Sequence, residues 1–247
     1  EGKHFDVPEE IRRIDVKLAP PGGALGAYYI PPSEGFGRPG TVYYAPGSDP
    51  RFTLFSEITT AYHEGFPGHH LQCGLQVYFA ERLSQLHRLF VVCSGYAEGW
   101  ALYAEQLMDE LGYFDRPEYV LGMWMAKLFR ALRVVIDIGL HCKYAIPEGF
   151  AGAGEVWSYA RAVETLCARG FIERDFAASE ATRYLGWPGQ AISYKVGERV
   201  IVDLREELRR ELGSRFDLRA FHDSVLSTGS VGLDLLTRFV RTGFGVA

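Results

Sequence analysis

A histidine followed directly by a glutamate, His63-Glu64, lies in the segment best suited to chemistry, AYHEGFPGHHLQ at residues 61–72. In many zinc hydrolases two histidines on one helical face bind the metal ion, and the glutamate after the first is the general base. The common motif places these histidines four residues apart, but Pro67 occupies that position here. A second histidine ligand must therefore come from further along the chain.

His69 and His70 lie six and seven residues beyond His63. In an ideal helix a six-residue step points the two side chains about 120° apart, and a seven-residue step separates them by about 10.5 Å along the axis. Neither arrangement suits one zinc ion with bonds of about 2.0–2.1 Å. Pro67 removes a helical hydrogen bond, and Gly68 tolerates unusual backbone angles. We therefore predict a two-residue bulge, which favours His69 as the ligand. His70 is the alternative ligand and is otherwise a supporting or substrate-binding residue.

A catalytic zinc site has three protein ligands and an open fourth position. The segment 97–111 offers Glu98 and Glu105, which are seven residues apart and so share a helical face. Gly95 and Gly99, beside Glu98, would permit close approach of another helix, which favours Glu98 as the third ligand. Glu105 begins an acidic run, and we expect it to lie on a solvated face.

An oxyanion that forms during hydrolysis needs a donor besides the metal. Tyr194 is the first candidate for this role, His222 the second and Lys195 the third. The alternative for the tyrosine and the histidine is an ordinary core or rim position. Gln190, four residues before Tyr194, is a candidate for substrate binding or for supporting a ligand.

A polar stripe runs along the otherwise apolar segment 128–145. Its members are spaced three, four and four residues apart and share a helical face: Arg130, Arg133, Asp137 and His141. Asp137 or His141 could orient a ligand histidine, and either arginine could bind a substrate carboxylate. The alternative is a structural network of arginine and aspartate between helices. A separate metal site at Asp137 and His141 is a weaker alternative.

The elements that position these residues fall into two parts. Residues 1–50 are rich in Pro and Gly, and the runs GAYYI and TVYYA predict extended segments or edge strands joined by turns such as PPGG at 20–23. Asp49-Pro50 is typical of a helix start. Apolar periodicity then predicts helices over 71–92, 97–111, 118–145, 155–169, 199–212 and 217–226. We predict one mainly α (α+β) domain over 1–247, with an extended or β portion at 1–50 and a helical body at 51–247.

Composition narrows the classes of function. A net charge of −5 without a long basic run argues against nucleic acid as a partner. No run approaches the roughly 18 to 20 apolar residues of a membrane span. The four cysteines show no CxxC pair and lie in apolar stretches, which predicts buried free thiols and slightly favours a cytoplasmic over a secreted protein.

Five ordered motifs between residues 25 and 240 carry a family resemblance: HEGFPGHHLQ, AEGWALYAE, RALRVVIDIGLH, PGQAISYKVG and FHDSVLSTGSVGLDLL. With them the chain resembles a bacterial family catalogued as domain of unknown function 885, whose members look like zincin-type metallopeptidases. The resemblance implies a gluzincin-like helical catalytic domain with one Zn²⁺ held by His63, His69 and Glu98, and with Glu64 as the base. It also implies a helical N-terminal half outside these 247 residues, since members are about twice this length.

The leading hypothesis is a zinc-dependent hydrolase that cleaves a peptide or small amide by direct attack of water, with Glu64 as general base. The chain lacks the G-x-S-x-G motif of a serine nucleophile, consistent with this mechanism. One alternative is a catalytically silent, zinc-stabilised module that binds peptides. Another is one part of a split enzyme that needs a partner chain, and an oligomer is compatible with either.

Overall fold

The computed structural model describes residues 2–20, 26–45 and 53–246. This part of the chain is mainly helical with one small sheet, which confirms the predicted α+β class. Its contacts divide the chain into two compact units. The first unit comprises Glu1–Arg51, Thr60–Tyr113 and Val196–Ala247, and the second comprises Phe52–Thr59 and Phe114–Lys195.

The sheet has three strands, β1 (Ile14–Leu18), β2 (Gly26–Ile30) and β3 (Gly40–Ala45). β3 is central, parallel to β1 and antiparallel to β2. The runs GAYYI and TVYYA form β2 and β3, as predicted, because β-branched and aromatic side chains suit a pleated surface. Residues 21–23 of the predicted PPGG turn and the helix start at Asp49-Pro50 lie outside the described residues.

Ten helices follow in the described part of the chain: α1 (Leu54–Glu64), α2 (His69–Tyr78), α3 (Gln85–Phe90), α4 (Ser94–Glu110), α5 (Pro117–Cys142), α6 (Tyr159–Gly170), α7 (Arg174–Gly186), α8 (Gln190–Leu212), α9 (Leu218–Leu226) and α10 (Leu233–Gly243). The prediction of one helix over 71–92 is wrong. Ser84 begins a new helix, α3, by accepting a hydrogen bond from the backbone N–H of His87 at 3.2 Å. α1, α7 and α10 lie outside the six ranges for which helices were predicted. None of the helices described here is long and apolar enough to cross a membrane.

The core of the first unit is built around α4. Tyr96, Trp100, Tyr103 and Leu107 recur at helical spacing and are buried. They pack in one cluster with apolar residues of α2, α8, α9 and α10. Because Glu98 and Glu105 lie on the same helix, this packing also fixes where their carboxylates point.

Glycines let α4 and the part of α8 in the first unit meet backbone to backbone. A Cβ atom on Gly99 would lie 2.4 Å from the carbonyl carbon of Gly197, and one on Gly197 would lie 1.9 Å from the carbonyl oxygen of Gly95. Distances this short leave no room for a methyl group. The predicted close approach of a second helix beside Glu98 is therefore confirmed.

The second unit has its own core, formed by residues of α5, α6 and α7 with the loop that contains Trp157. Gly139 of α5 contacts Trp157 so closely that a Cβ atom there would lie 2.2 Å from the indole ring. α5 thereby presents its apolar side to this core.

The cysteines differ in part from expectation. All four are free thiols, but each of the four residues is at least partly exposed to solvent. Cys142 is exposed because it is the last residue of α5, and Cys73, Cys93 and Cys167 are partly buried.

We expect Gly99→Ala to lower the free energy of unfolding by about 1–3 kcal/mol, because the new methyl group would push α4 away from α8. Urea unfolding measures the change. Gly37→Ala is the matched control in the same unit, since its Cβ would meet no atom closer than 3.9 Å. Equal stability of the two variants would contradict the close helix crossing.

Candidate metal centre

The chain between His63 and His69 leaves the helical path in a short turn. α1 ends at Glu64 and α2 begins at His69, so the predicted two-residue bulge is instead a complete break between two helices. The backbone N–H of Gly68 donates to the carbonyl of Tyr62 at 3.1 Å. A Cβ atom on Gly68 would lie 1.9 Å from the carbonyl oxygen of His63, so the turn requires glycine at this position.

α4 holds this turn in place. The indole N–H of Trp100, which is fully buried, donates to the carbonyl of Pro67 at 2.9 Å. Trp100 follows Glu98 by two residues, so one short stretch of α4 both anchors the turn and carries a carboxylate to it.

The turn brings His63 and His69 together against Glu98. The Nε2 atoms of both histidines lie 3.4 Å from the same carboxylate oxygen, Oε2 of Glu98. These are the three residues whose potential ligand atoms all lie within 4.8 Å of one another, and they are the one such group among the described residues. The structure thus brings together the three predicted ligands.

The two distances of 3.4 Å between the histidine nitrogens and the Glu98 oxygen fit ligands of one tetrahedral metal ion better than direct hydrogen bonds between these atoms. Ligand atoms at about 2.1 Å from a tetrahedral zinc ion are about 3.4 Å apart. A strong N–H···O hydrogen bond is shorter, about 2.9 Å. Two imidazole nitrogens and one carboxylate oxygen are also a donor set that zinc accepts. The residues present therefore fit a zinc ion.

Glu98 is held in its anionic form. Burial raises the pKa of its carboxyl group, but the nearby imidazoles of His63 and His69 outweigh burial and place the pKa well below the usual range. A deprotonated carboxylate is the form that binds a metal ion.

Glu105 orients His63, which corrects the expectation of a solvated position. Its side chain is completely buried, and its Oε1 lies 2.7 Å from Nδ1 of His63. With Nδ1–H donating to this carboxylate, the lone pair of Nε2 faces Glu98 and His69. The signal in the sequence is the seven-residue spacing between Glu98 and Glu105, which places both on one face of α4.

Glu64 is the last residue of α1 and lies next to the cluster in sequence. Its side chain is buried, and no other described residue hydrogen-bonds to its carboxylate. The thiol of Cys73 is affected by the charge of Glu64. Burial, and then the negative charges of Glu64 and Glu98, raise the pKa of this thiol to about 12. Both carboxylates therefore lie close enough to the thiol of Cys73 for their charges to act on it.

His70 points away from the cluster. Its Nε2–H donates to the carbonyl of Ile11 at 2.7 Å, and Nδ1 accepts from the hydroxyl of Tyr29 at 2.8 Å. Burial lowers the pKa of this histidine. His70 therefore fastens α2 to the N-terminal segment, and both of its nitrogens are used in doing so.

His222 belongs to the core and not to a substrate site, which corrects its place among the candidate oxyanion donors. It is fully buried and stacks on Phe5 with ring centroids 4.8 Å apart. Nδ1–H donates to the carbonyl of His4 at 3.0 Å, and the hydroxyl of Tyr103 lies 2.7 Å from Nε2. No ring nitrogen is left for a substrate.

The polar stripe of α5 forms contacts within the second unit. Arg133 pairs with Glu180 of α7 at 2.5 Å, and its guanidinium lies 4.6 Å from the ring centre of Tyr194. Asp137 accepts a hydrogen bond from the backbone N–H of Gly189 at 3.0 Å. These contacts match the structural alternative, except that the partner of Arg133 is a glutamate.

The remaining candidates also lie in the second unit. His141 is 3.2 Å from Asp137, and Gln190 accepts a hydrogen bond from Arg183. The guanidinium of Arg130 lies 5.9 Å from the ring centre of Tyr194, and Lys195 is partly buried. The carboxylate paired with His63 is Glu105, so orientation of a ligand histidine needs neither Asp137 nor His141. Tyr194 and Lys195 stay predictions.

We expect His69→Ala to lose bound zinc and His70→Ala to retain about one zinc per chain, because only the first removes an atom from the cluster. Plasma mass spectrometry of the purified proteins measures zinc content, and thermal unfolding should report lower stability for His70→Ala. Zinc retained by His69→Ala, or lost from a folded His70→Ala, would contradict the assignment.

Glu105→Gln should weaken zinc binding about 10- to 100-fold, because an amide supports the Nδ1–H of His63 less well than a carboxylate. Competition with a fluorescent chelator measures the affinity. Asp109→Asn removes a carboxylate from the same helix and should leave the affinity unchanged. The role of Glu105 would be wrong if the two variants bound zinc alike.

His222 should make the fold sensitive to acid. Burial lowers its pKa to about 4, below the 6.5 of an exposed histidine. Between these values the unfolded chain binds a proton that the folded chain does not, so stability should fall with decreasing pH, by about 3 kcal/mol over the window. In zinc-free protein, the free energy of unfolding should fall less between pH 7 and pH 4.5 for His222→Gln than for the wild type. Urea unfolding at the two pH values measures this change. Identical losses would contradict a buried neutral histidine.

Comparisons place the chain among bacterial proteins. The model of the family described as "Bacterial protein of unknown function (DUF885)" matches residues 1–240. The "putative lipoprotein from Colwellia psychrerythraea" superimposes with a TM-score of 0.85 at 36% identity, covering 94% of this chain and 38% of that one. A "putative lipoprotein of unknown function from Shewanella oneidensis" has a TM-score of 0.69 at 25% identity, covering 95% and 41%.

The chain thus spans well under half the length of these two structures. No curated protein is significantly similar to it. The family match extends over nearly the whole sequence and includes every residue of the candidate metal centre. The chain therefore belongs to the bacterial DUF885 family.

Proposed function

We propose that this chain is a zincin-type, gluzincin-like metallohydrolase that cleaves a peptide or a related amide bond. The observation that carries the proposal is that Nε2 of His63 and Nε2 of His69 each lie 3.4 Å from Oε2 of Glu98, with the buried Glu64 next to His63 in the chain. Since the matched structures are more than twice as long, the activity and partners of the whole protein are part of this proposal.

Each residue of the cluster has a separate task. His63, His69 and Glu98 would hold one zinc ion, which when bound supplies a Lewis acid and increases the acidity of water. Glu64 would accept the proton from the attacking water and pass it to the leaving nitrogen. Glu105 holds the imidazole of His63 in the tautomer that presents Nε2 to the site.

The ligand set favours hydrolysis over a purely structural zinc site. Structural zinc sites are usually closed by four protein ligands, whereas catalytic sites keep one position open. The group found among the described residues has three members. A structural site also has no use for a neighbouring carboxylate such as Glu64, which speaks against the silent binding module.

Location is a second part of the proposal. The two structural relatives are described as lipoproteins, and we infer an envelope location for this chain in place of the cytoplasmic one that its cysteines favoured. Fractionation of the source cell tests this inference. Recovery of the protein in the cytoplasmic fraction alone would contradict it.

Glu64→Gln should retain about one zinc per chain and lose hydrolysis by at least about 10²-fold, because the amide keeps the shape but cannot accept the proton. Release of amines from a peptide library, with and without chelator, measures activity, and plasma mass spectrometry measures zinc. Glu81→Gln, which removes an exposed carboxylate, is the control and should hydrolyse peptides as the wild type does. Full activity of Glu64→Gln would rule out this base.

A further inference from the structure

The first unit contains a cavity of about 100 Å³ that none of the roles above uses. Its walls include Cys73 and Val77 of α2 and Leu89 of α3. Val92, which precedes α4, and Ala97, in the first turn of α4, also line it. The surface of the cavity is mostly apolar. It is therefore suited to an uncharged, apolar group.

Two residues of the cavity wall are close in sequence to the candidate metal ligands. Cys73 follows His69 by four residues, so it lies on the same face of α2 about 6 Å further along the axis. Ala97 directly precedes Glu98 on α4. An extended peptide advances about 3.3 Å per residue, so a side chain next to a bond at the metal centre can reach this distance.

Most polar groups around the cavity are already engaged. Gln76 donates to the carbonyls of His87 and Val91 at 2.9 and 3.1 Å and accepts from the backbone N–H of Ser230 at 2.9 Å. Arg88 pairs with Glu34 at 2.8 Å. These bonds fix the walls in place. Nε of Arg88 is buried without a hydrogen-bond partner among the described residues, so a cationic ligand group would lose its hydration here without gaining a partner.

We propose that this cavity binds a branched aliphatic side chain of the substrate, on the residue next to the bond that is cleaved. A cavity of about 150 Å³ is enough to hold a benzene molecule in a protein core. The smaller volume here suits the side chain of valine, leucine or isoleucine better than an aromatic ring. This inference rests on the proposed function and specifies its substrate class.

The test uses a series of blocked peptides, acetyl-Gly-Gly-X-Gly-Gly-amide, in which only X has a side chain, so X is free to occupy the cavity. Calorimetry with zinc-loaded Glu64→Gln protein measures binding without cleavage. We expect leucine and valine to bind about tenfold more tightly than alanine, and lysine and tryptophan to bind no better than alanine. Equal binding across the series would overturn the proposal.

Two variants on α3 locate the effect. Leu89→Ala enlarges the cavity and should weaken leucine binding about tenfold while improving phenylalanine binding. Leu86→Ala is the matched control, because Leu86 is exposed and lies outside the cavity. Should Leu89→Ala fail to fold, Val92→Trp at an exposed position of the rim should block leucine binding in its place. Unchanged preferences in a folded Leu89→Ala or Val92→Trp would overturn the proposal.

Hydrolysis of the same peptides by the zinc-loaded wild type separates the two proposals. Binding that depends on X, without chelator-sensitive cleavage of any peptide, would support the pocket and contradict the hydrolase. Cleavage at equal rates for every X would support the hydrolase and overturn the pocket. Cleavage that is fastest for leucine and valine is the expected result.

Discussion

Two histidines six residues apart can meet at one metal ion only if the helix is interrupted between them, and here the helix that carries the first ends before the second begins. Everything else in the candidate centre depends on this turn at residues 65–68. Gly68 allows the chain to pass against the carbonyl of His63, and Trp100 fastens the turn from α4. The same helix, α4, places Glu98 next to Nε2 of His63 and Glu105 next to Nδ1 of the same ring. The candidate metal centre thus depends on one helix break and on one helix packed against it.

The glycine contacts between α4 and α8 serve the same end. Gly95 and Gly99 let the backbone of Gly197 approach, so α8 packs directly against α4 on the side next to Glu98. The aromatic residues of α4 clamp this helix on the core side, where His222 fills space between Phe5 and Tyr103. A carboxylate on a helix held in this way needs little reordering to bind a metal ion, which lowers the entropic cost of binding.

Local signals in the sequence were enough for part of this site. The residue types, the break at Pro67-Gly68 and the small residues near Glu98 are all visible within a few positions, and they predicted a ligand set that the structure brings together. Glu105 and His222 were misjudged for a shared reason: their surroundings come from residues 42 and 119 positions away, His63 and Tyr103. Apolar periodicity alone also could not reveal that Ser84 starts a separate helix, since a side-chain cap competes with continuation of the helix.

X-ray absorption spectroscopy of the zinc-loaded protein tests the central claim most directly, because it reports the atoms bound to the metal. The structure predicts only nitrogen and oxygen neighbours at about 2.0–2.2 Å, including the outer-shell signature of two imidazoles. A sulfur neighbour at about 2.3 Å would assign Cys73 to the metal and contradict the ligand set of His63, His69 and Glu98. A spectrum without imidazole scattering would contradict the account that the turn at Gly68 exists to join two histidines.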